Sequence, residues 1–161
     1  MDVIIEEATS QSNTAAVLSG RLDAVFIPGN PRLLGCEAKY LWDERIYVAL
    51  SENHPSTEAR EVAWNDIRDE TFLVTADATG PEIEDYLVRQ LSGPGFRPKI
   101  SVQRVGRENL LNMAGKGFGI TLTTDSTLGT AYQGVSFRPI TGVEEIVSSS
   151  IVWCSTNGTR P

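Results

Sequence analysis

The chain predicts an α/β protein built on two sheets. Three observations carry this expectation: short apolar, β-branched runs recur along the chain, amphipathic stretches separate them, and proline breaks fall near residues 54 and 139. Strands alternating with helices make α/β layers, and the strand number is high for a single small sheet. Residues 106–124 show the alternation most clearly. Leu110, Met113 and Ala114 recur at helical spacing, Gly117 supplies a left-handed stop, and Phe118-Gly119-Ile120-Thr121-Leu122 reads as a short strand. The helix starts at Gly106-Arg107, directly after a β-like run over residues 99–105. Its unpaired N–H groups and an arginine therefore fall at a strand's carboxyl end, where open α/β sheets place ligands.

With 161 residues, 40% hydrophobic and 22% charged, the chain can bury a real core as one domain or two small lobes. Its net charge of -7, with no basic run to offset it, opposes a general attraction to nucleic acid or anionic membranes. No apolar run has transmembrane length, and Met-Asp-Val-Ile-Ile-Glu-Glu lacks the features of a signal peptide, so the expected location is the cytoplasm. Cys36 and Cys154 lie far apart in apolar surroundings without CxxC spacing. Two reduced, buried thiols are expected, with a disulfide as the alternative.

Taken in order, Val3, Ile4 and Ile5 predict a fully apolar strand, which needs neighbours on both sides. A helix follows from residues 8–11, with Ala15, Leu18 and Leu22 on one face, Ser10 or Ser12 as N-cap and Gly20 near the stop. Residues 23–27 are the next strand, so that strand, helix and strand form a right-handed βαβ unit. Two strands over residues 37–42 and 46–50 are separated by the charged turn Asp43-Glu44-Arg45. A short helix over 64–69 and a strand over 71–75 come next. The following helix starts either with a Thr79–Glu82 capping box or with Gly80 as cap before Pro81, buries Ile83, Leu87 and Leu91, and ends at Gly93-Pro94-Gly95. Thr124-Asp125-Ser126 reads as a cap or tight turn, and residues 134–140 and 146–153 are the last strands. The terminal residues 157–161 contain no closing helix.

Read together, these blocks resemble the effector-binding domain of LysR-type transcriptional regulators. The likeness rests on Leu18-Ser19-Gly20-Arg21-Leu22-Asp23-Ala24-Val25, on Arg45-Ile46-Tyr47-Val48-Ala49-Leu50 with His54-Pro55, and on Trp64-Asn65-Asp66-Ile67. Gly95-Phe96-Arg97-Pro98, Glu108-Asn109-Leu110-Leu111 with Gly117-Phe118-Gly119-Ile120, and Val135 to Ile140 complete an ordered series over most of the chain. The resemblance implies a two-lobed type II periplasmic-binding-protein-like fold, each lobe a small mixed sheet flanked by helices. Lobe I would comprise residues 1–53 and 140–161, and lobe II residues 54–139, with a small effector between them. It further implies a homo-oligomer, dimer or tetramer, that reaches promoter DNA through a helix-turn-helix domain absent from this sequence. The family's first strand and helix and its last helix are also without counterpart, which predicts an exposed apolar strand edge. Either the chain associates abnormally or another chain completes the pairing.

Three helix starts carry the expected ligand chemistry. Thr9, Ser10 and Gln11 open the first helix, Thr75, Ala76 and Asp77 precede the one near residue 80, and Arg104, Val105, Gly106 and Arg107 lead into the one near 107. Free N–H groups and partial positive charge there favour a carboxylate-bearing effector. Ser10 matches the hydroxyl residue that the family uses on an effector carboxylate, a role compatible with helix capping, and the resemblance adds Pro28. One of Arg104 and Arg107 is expected to face the effector and the other to be solvated. His54 before Pro55 reads as a turn residue. Glycines 115, 117 and 119 follow a helix rather than precede one, so they are no dinucleotide loop. Nothing resembles a nucleophile elbow, a phosphate loop, a metal-ligand cluster or a catalytic set, so no cofactor, metal or enzymatic activity is expected. A solute-binding protein of the same fold is the alternative, opposed by the missing signal sequence.

Overall fold

A computed structural model describes residues 2–142 and 146–155. In chain order it contains α1 (Ser10–Leu18), β1 (Val25–Pro28), β2 (Cys36–Ser51), α2 (Trp64–Ile67), β3 (Thr71–Thr75) and α3 (Gly80–Leu91). These are followed by β4 (Lys99–Gln103), α4 (Arg107–Gly115), β5 (Thr121–Thr124), β6 (Val135–Pro139) and β7 (Ile146–Cys154). They fall into two units, one of Met1–Asp43 with Val147–Pro161, the other of Glu44–Ile146. Residues 157–161, for which the sequence predicts no closing helix, lie outside the described residues.

In the first unit, α1 begins because Thr9 is extended and its hydroxyl accepts the Ser12 N–H at 3.2 Å. The cap is thus Thr9, not Ser10 or Ser12, which both lie inside the helix. Ala16 and Val17 are buried, whereas Leu18 is exposed. The expected face of Ala15, Leu18 and Leu22 is therefore displaced: the chain has already turned at Gly20, at a φ of 73°, so Leu22 is not on the helix at all. In β1, Val25 and Ile27 point inward and Phe26 outward. β1 pairs antiparallel with β7, Val25 opposite Val152, and β7 lies beside β2. Val17, Val25, Ile27, Val152 and Cys154 make the core of this unit.

Three expectations for this unit are corrected. Residues 3–5 form no strand and are among the most exposed apolar side chains, so there is no βαβ unit here. A β-prone tripeptide gains its bonds only from a neighbouring strand, and none of the described strands lies beside it. Cys36 and Cys154, expected as free thiols, are joined in a disulfide. They are the first residue of β2 and the last of β7, neighbours in the sheet although 118 residues apart in sequence. Finally, β2 is one continuous strand of 16 residues rather than two. The Asp43-Glu44-Arg45 segment contains no glycine or proline to turn it, and each charge is held: Asp43 accepts the Ser148 hydroxyl at 2.7 Å, Glu44 accepts that of Thr124 at 3.1 Å, and Arg45 pairs with Glu61 at 2.7 Å.

In the second unit, the later half of β2 is flanked by β5 and β6, both antiparallel to it. β3 and β4 run parallel, as the α3 crossover between them requires. Phe72, Val74, Leu87, Leu111, Ile120, Ile140, Val48 and Leu50 are fully buried and form the apolar interior. Over residues 106–124 the helix, glycine turn and strand appear in the expected order. Gly117 takes a φ of 79° while the Phe118 N–H donates to Met113 O at 3.1 Å, a Schellman-type close. The strand itself starts later than expected, at Thr121, because Phe118 and Gly119 are spent on the turn, and Gly119 packs so tightly on Thr71 O that a Cβ would lie 2.5 Å from it. α3 starts with Thr79 at the cap position and Pro81 in its first turn, but the Thr79 side chain makes no capping bond. Neither expected start is therefore realised: the capping box lacks the Thr79 side-chain bond, and Gly80 is the first residue of the helix rather than its cap.

Candidate functional site

Parallel pairing places the carboxyl ends of β3 and β4 side by side, Thr75 opposite Gln103. Residues 75–77 and 104–107 thereby come together in one lip of the second unit. The lip is closed by polar bonds: the Ala76 N–H donates to Gln103 O at 2.8 Å, and the Thr75 hydroxyl donates to Val105 O at 2.8 Å while accepting the Asp77 N–H at 3.3 Å. Thr75 is thus a clamp between the two strand ends. Replacing it by valine keeps the shape and removes the clamp, and is expected to cost about 1–2 kcal/mol in urea unfolding, with Thr75→Ser close to the parent. Equal stability of valine and serine variants would contradict the clamp.

The loop after the clamp is compressed. Ala78 sits at a φ of 53°, in the left-handed region that a non-glycine residue rarely occupies, and the Gly80 backbone is pressed against Thr75 O. On the other side of the lip, Gly106 caps α4 with an extended backbone and no side-chain bond. The N–H groups of the first turn, Arg107 to Asn109, consequently have no intrahelical acceptor. Arg104 and Arg107 are exposed, and neither pairs with a carboxylate among the described residues. Free helix-start N–H groups favour negative charge, and Arg104 and Arg107 adjoin them in sequence.

The remaining expected residues belong to the first unit. Thr9 is engaged in capping, Ser10 and Gln11 lie in the first turn of α1, and Pro28 ends β1. Beyond Pro28, Gly29 takes a φ of 86°, donates its N–H to Ser148 O at 2.6 Å and accepts the buried Ser150 hydroxyl at 2.7 Å, which fixes the strand end. His54 is a turn residue: its Nδ1 accepts the Ser56 N–H at 3.1 Å, starting a 3-10 helix, and its Nε2 lies 3.1 Å from Glu70. Sequence reasoning missed the Thr75 clamp and the strained Ala78. The only local signal was the Thr-Gly-Pro succession at residues 79–81. A cavity of about 630 Å³ lined by Val88, Ser92, Gly93, Gly95, Phe96 and Arg97 lies at the far end of α3 and shares no residue with the lip. No group of three or more potential metal ligands occurs among the described residues, and no helix among them is long and apolar enough to cross a membrane.

Comparison with known proteins supplies the family. Among curated relatives, the HTH-type transcriptional regulator XapR of Escherichia coli is 28% identical over 144 residues, 87% of this chain and 47% of that protein. BenM of Acinetobacter baylyi is 27% identical over 139 residues, 83% of this chain and 45% of that protein. TtuA of Agrobacterium vitis is 25% identical over 125 residues, 77% of this chain and 41% of that protein. The chain thus spans less than half the length of these regulators. Among solved structures, the effector binding domain of a BenM variant superposes with a TM-score of 0.77 at 26% identity, covering 91% of this chain and 69% of that one. Full-length OxyR from Pseudomonas aeruginosa shares the fold, with a TM-score of 0.84 at 20% identity over 97% of this chain and 54% of that one. The fold class is accordingly the α/β, periplasmic-binding-protein-like one. With the family model for the LysR substrate binding domain matching residues 1–160, the chain belongs to the LysR substrate-binding domain family.

Proposed function

We propose that this chain is the ligand-sensing part of a LysR-type bacterial transcriptional regulator and that its ligand is a small carboxylate-bearing effector. The observation that supports the chemistry is the lip at the carboxyl ends of β3 and β4, where the uncapped α4 N-terminus follows Arg104 in sequence and begins with Arg107. The relatives support the role: they are HTH-type transcriptional regulators, and BenM has benzoate as its effector. On this reading Ser10 and its neighbours Thr9 and Gln11, with Pro28, supply contacts from the first unit, and the lip supplies the charge-bearing contacts. Signal transmission is a population shift, in which the effector favours one conformation only as far as it binds that one better. The reading also takes the whole regulator to be a cytoplasmic homo-oligomer that contacts promoter DNA through a separate domain, and assigns this chain no catalytic step.

The test is calorimetry on the full-length regulator, after a thermal-shift screen of small aromatic and aliphatic acids has identified a binder. Ser10→Ala with Arg107→Ala should weaken binding by about 1.5–3 kcal/mol, the range of a lost hydrogen bond to a charged group, without unfolding the domain. Unchanged affinity would refute the residue assignments. Absence of any acidic binder would refute the ligand class.

A further inference from the structure

The cavity of about 630 Å³ at the far end of α3 has no part in the effector reading. It lies wholly within the second unit, and its volume falls in the range of small-molecule sites, about 300–1,000 Å³. A tight turn forms its wall. The Gly93 and Phe96 backbones exchange two hydrogen bonds, at 3.1 and 3.0 Å, across Pro94 and Gly95, and Gly95 takes a φ of 75°, as a type II turn with proline before glycine requires. The turn fixes the Phe96 backbone, and the Arg68 guanidinium, 4.1 Å from the ring centroid, packs over the ring itself. Gly93 differs from Gly95: no left-handed φ requires glycine there, and an added Cβ would meet nothing within 4 Å. Neither backbone conformation nor close packing calls for glycine at 93. Its consequence is open space in the cavity wall.

We propose that this cavity is a second ligand site, which takes a small acid carrying an aromatic ring. Arg97 is the only charged residue of its lining, is exposed, and pairs with no carboxylate among the described residues. Its planar fork of N–H donors matches a carboxylate. Val88, 38% exposed, and Phe96 supply the apolar wall, and offset or edge-to-face packing on Phe96 favours an aromatic ring. Ser92, at the C-cap of α3, adds a hydroxyl. The carboxyl end of α3 contributes about half a negative charge, less than the full positive charge of Arg97, and Arg89 in the last turn offsets it further. The inference does not rest on the effector reading, because the cavity shares no residue with the lip and each site can fail alone.

Backbone amide NMR of the isotope-labelled chain, titrated with phenylacetate, tests this, with phenylacetamide as the uncharged analogue of similar shape. Phenylacetate is expected to shift the amides of Ser92, Gly93, Gly95, Phe96 and Arg97, and phenylacetamide to bind there about tenfold more weakly or worse. Arg97→Gln alters an exposed side chain and should weaken the site by a similar factor, about tenfold. Gly93→Leu adds a side chain where nothing stands within 4 Å, so it should fill the cavity and abolish the shifts. Both variants should keep the parent's spectrum elsewhere, and Arg107→Ala should leave the shifts at residues 92–97 unchanged. Absence of shifts at residues 92–97, equal binding of acid and amide there, or unchanged affinity in both Arg97→Gln and Gly93→Leu would each overturn the proposal. Shifts confined to residues 75–77 and 104–107 would overturn it too, while leaving the effector reading intact.

Discussion

Gly80→Ala is expected to cost about 4 kcal/mol or more, the range reached only by severe local conflicts. A Cβ at this position would stand 1.8 Å from Thr75 O and 2.7 Å from the carbonyl carbon behind it, and both are backbone atoms that cannot swing aside. Gly80 opens α3, and Thr75 is tied to Val105 and Asp77, so relief would have to move the helix start or break the clamp. Ala78, already left-handed, leaves the loop little slack. Gly106 is the control. It stands on the other side of the same lip, and a methyl group added there would meet nothing within 4 Å, so Gly106→Ala should stay within about 1 kcal/mol of the parent. Urea unfolding of the two variants checks both numbers. A Gly80→Ala protein within about 1 kcal/mol of the parent would show that the close approach does not govern the site.

Removing the Cys36–Cys154 disulfide, by reduction or by Cys36→Ser with Cys154→Ser, is expected to destabilise the protein by about 2–5 kcal/mol. The bond spans 118 residues, a long loop whose closure restricts the unfolded chain strongly. It also ties β2 to β7 in the unit whose apolar core is the small cluster around Val17. Melting with and without reductant should separate by about 5–15 °C for a chain of this size. A melting temperature indifferent to reductant, with two thiols titrating in the unfolded protein before reduction, would return both cysteines to the free state that their spacing alone suggested.

Much of the second unit was legible because its signals are local. In α4 and its exit, the helical spacing of Leu110 and Ala114 and the glycine at 117 act within a few residues of one another, and burial and turn geometry follow the same order. β3 was bounded at Thr71 and Thr75 by its own apolar run.

What the sequence by itself determined is therefore the α/β alternation, the order of most elements, the family likeness and the residue types gathered at residues 75–77 and 104–107. Only the tertiary structure decided which of those elements find partners. Residues 3–5 have a strand's composition but no described strand beside them, and Asp43-Glu44-Arg45 has a turn's composition but stays extended because Ser148, Thr124 and Glu61 hold its charges from elsewhere in the chain. The disulfide, the Thr75 clamp and the close approach at Gly80 likewise depend on register between segments distant in sequence. Periodicity and capping act over one or two turns, whereas register is set by contacts among residues tens to more than a hundred positions apart, which local composition does not encode.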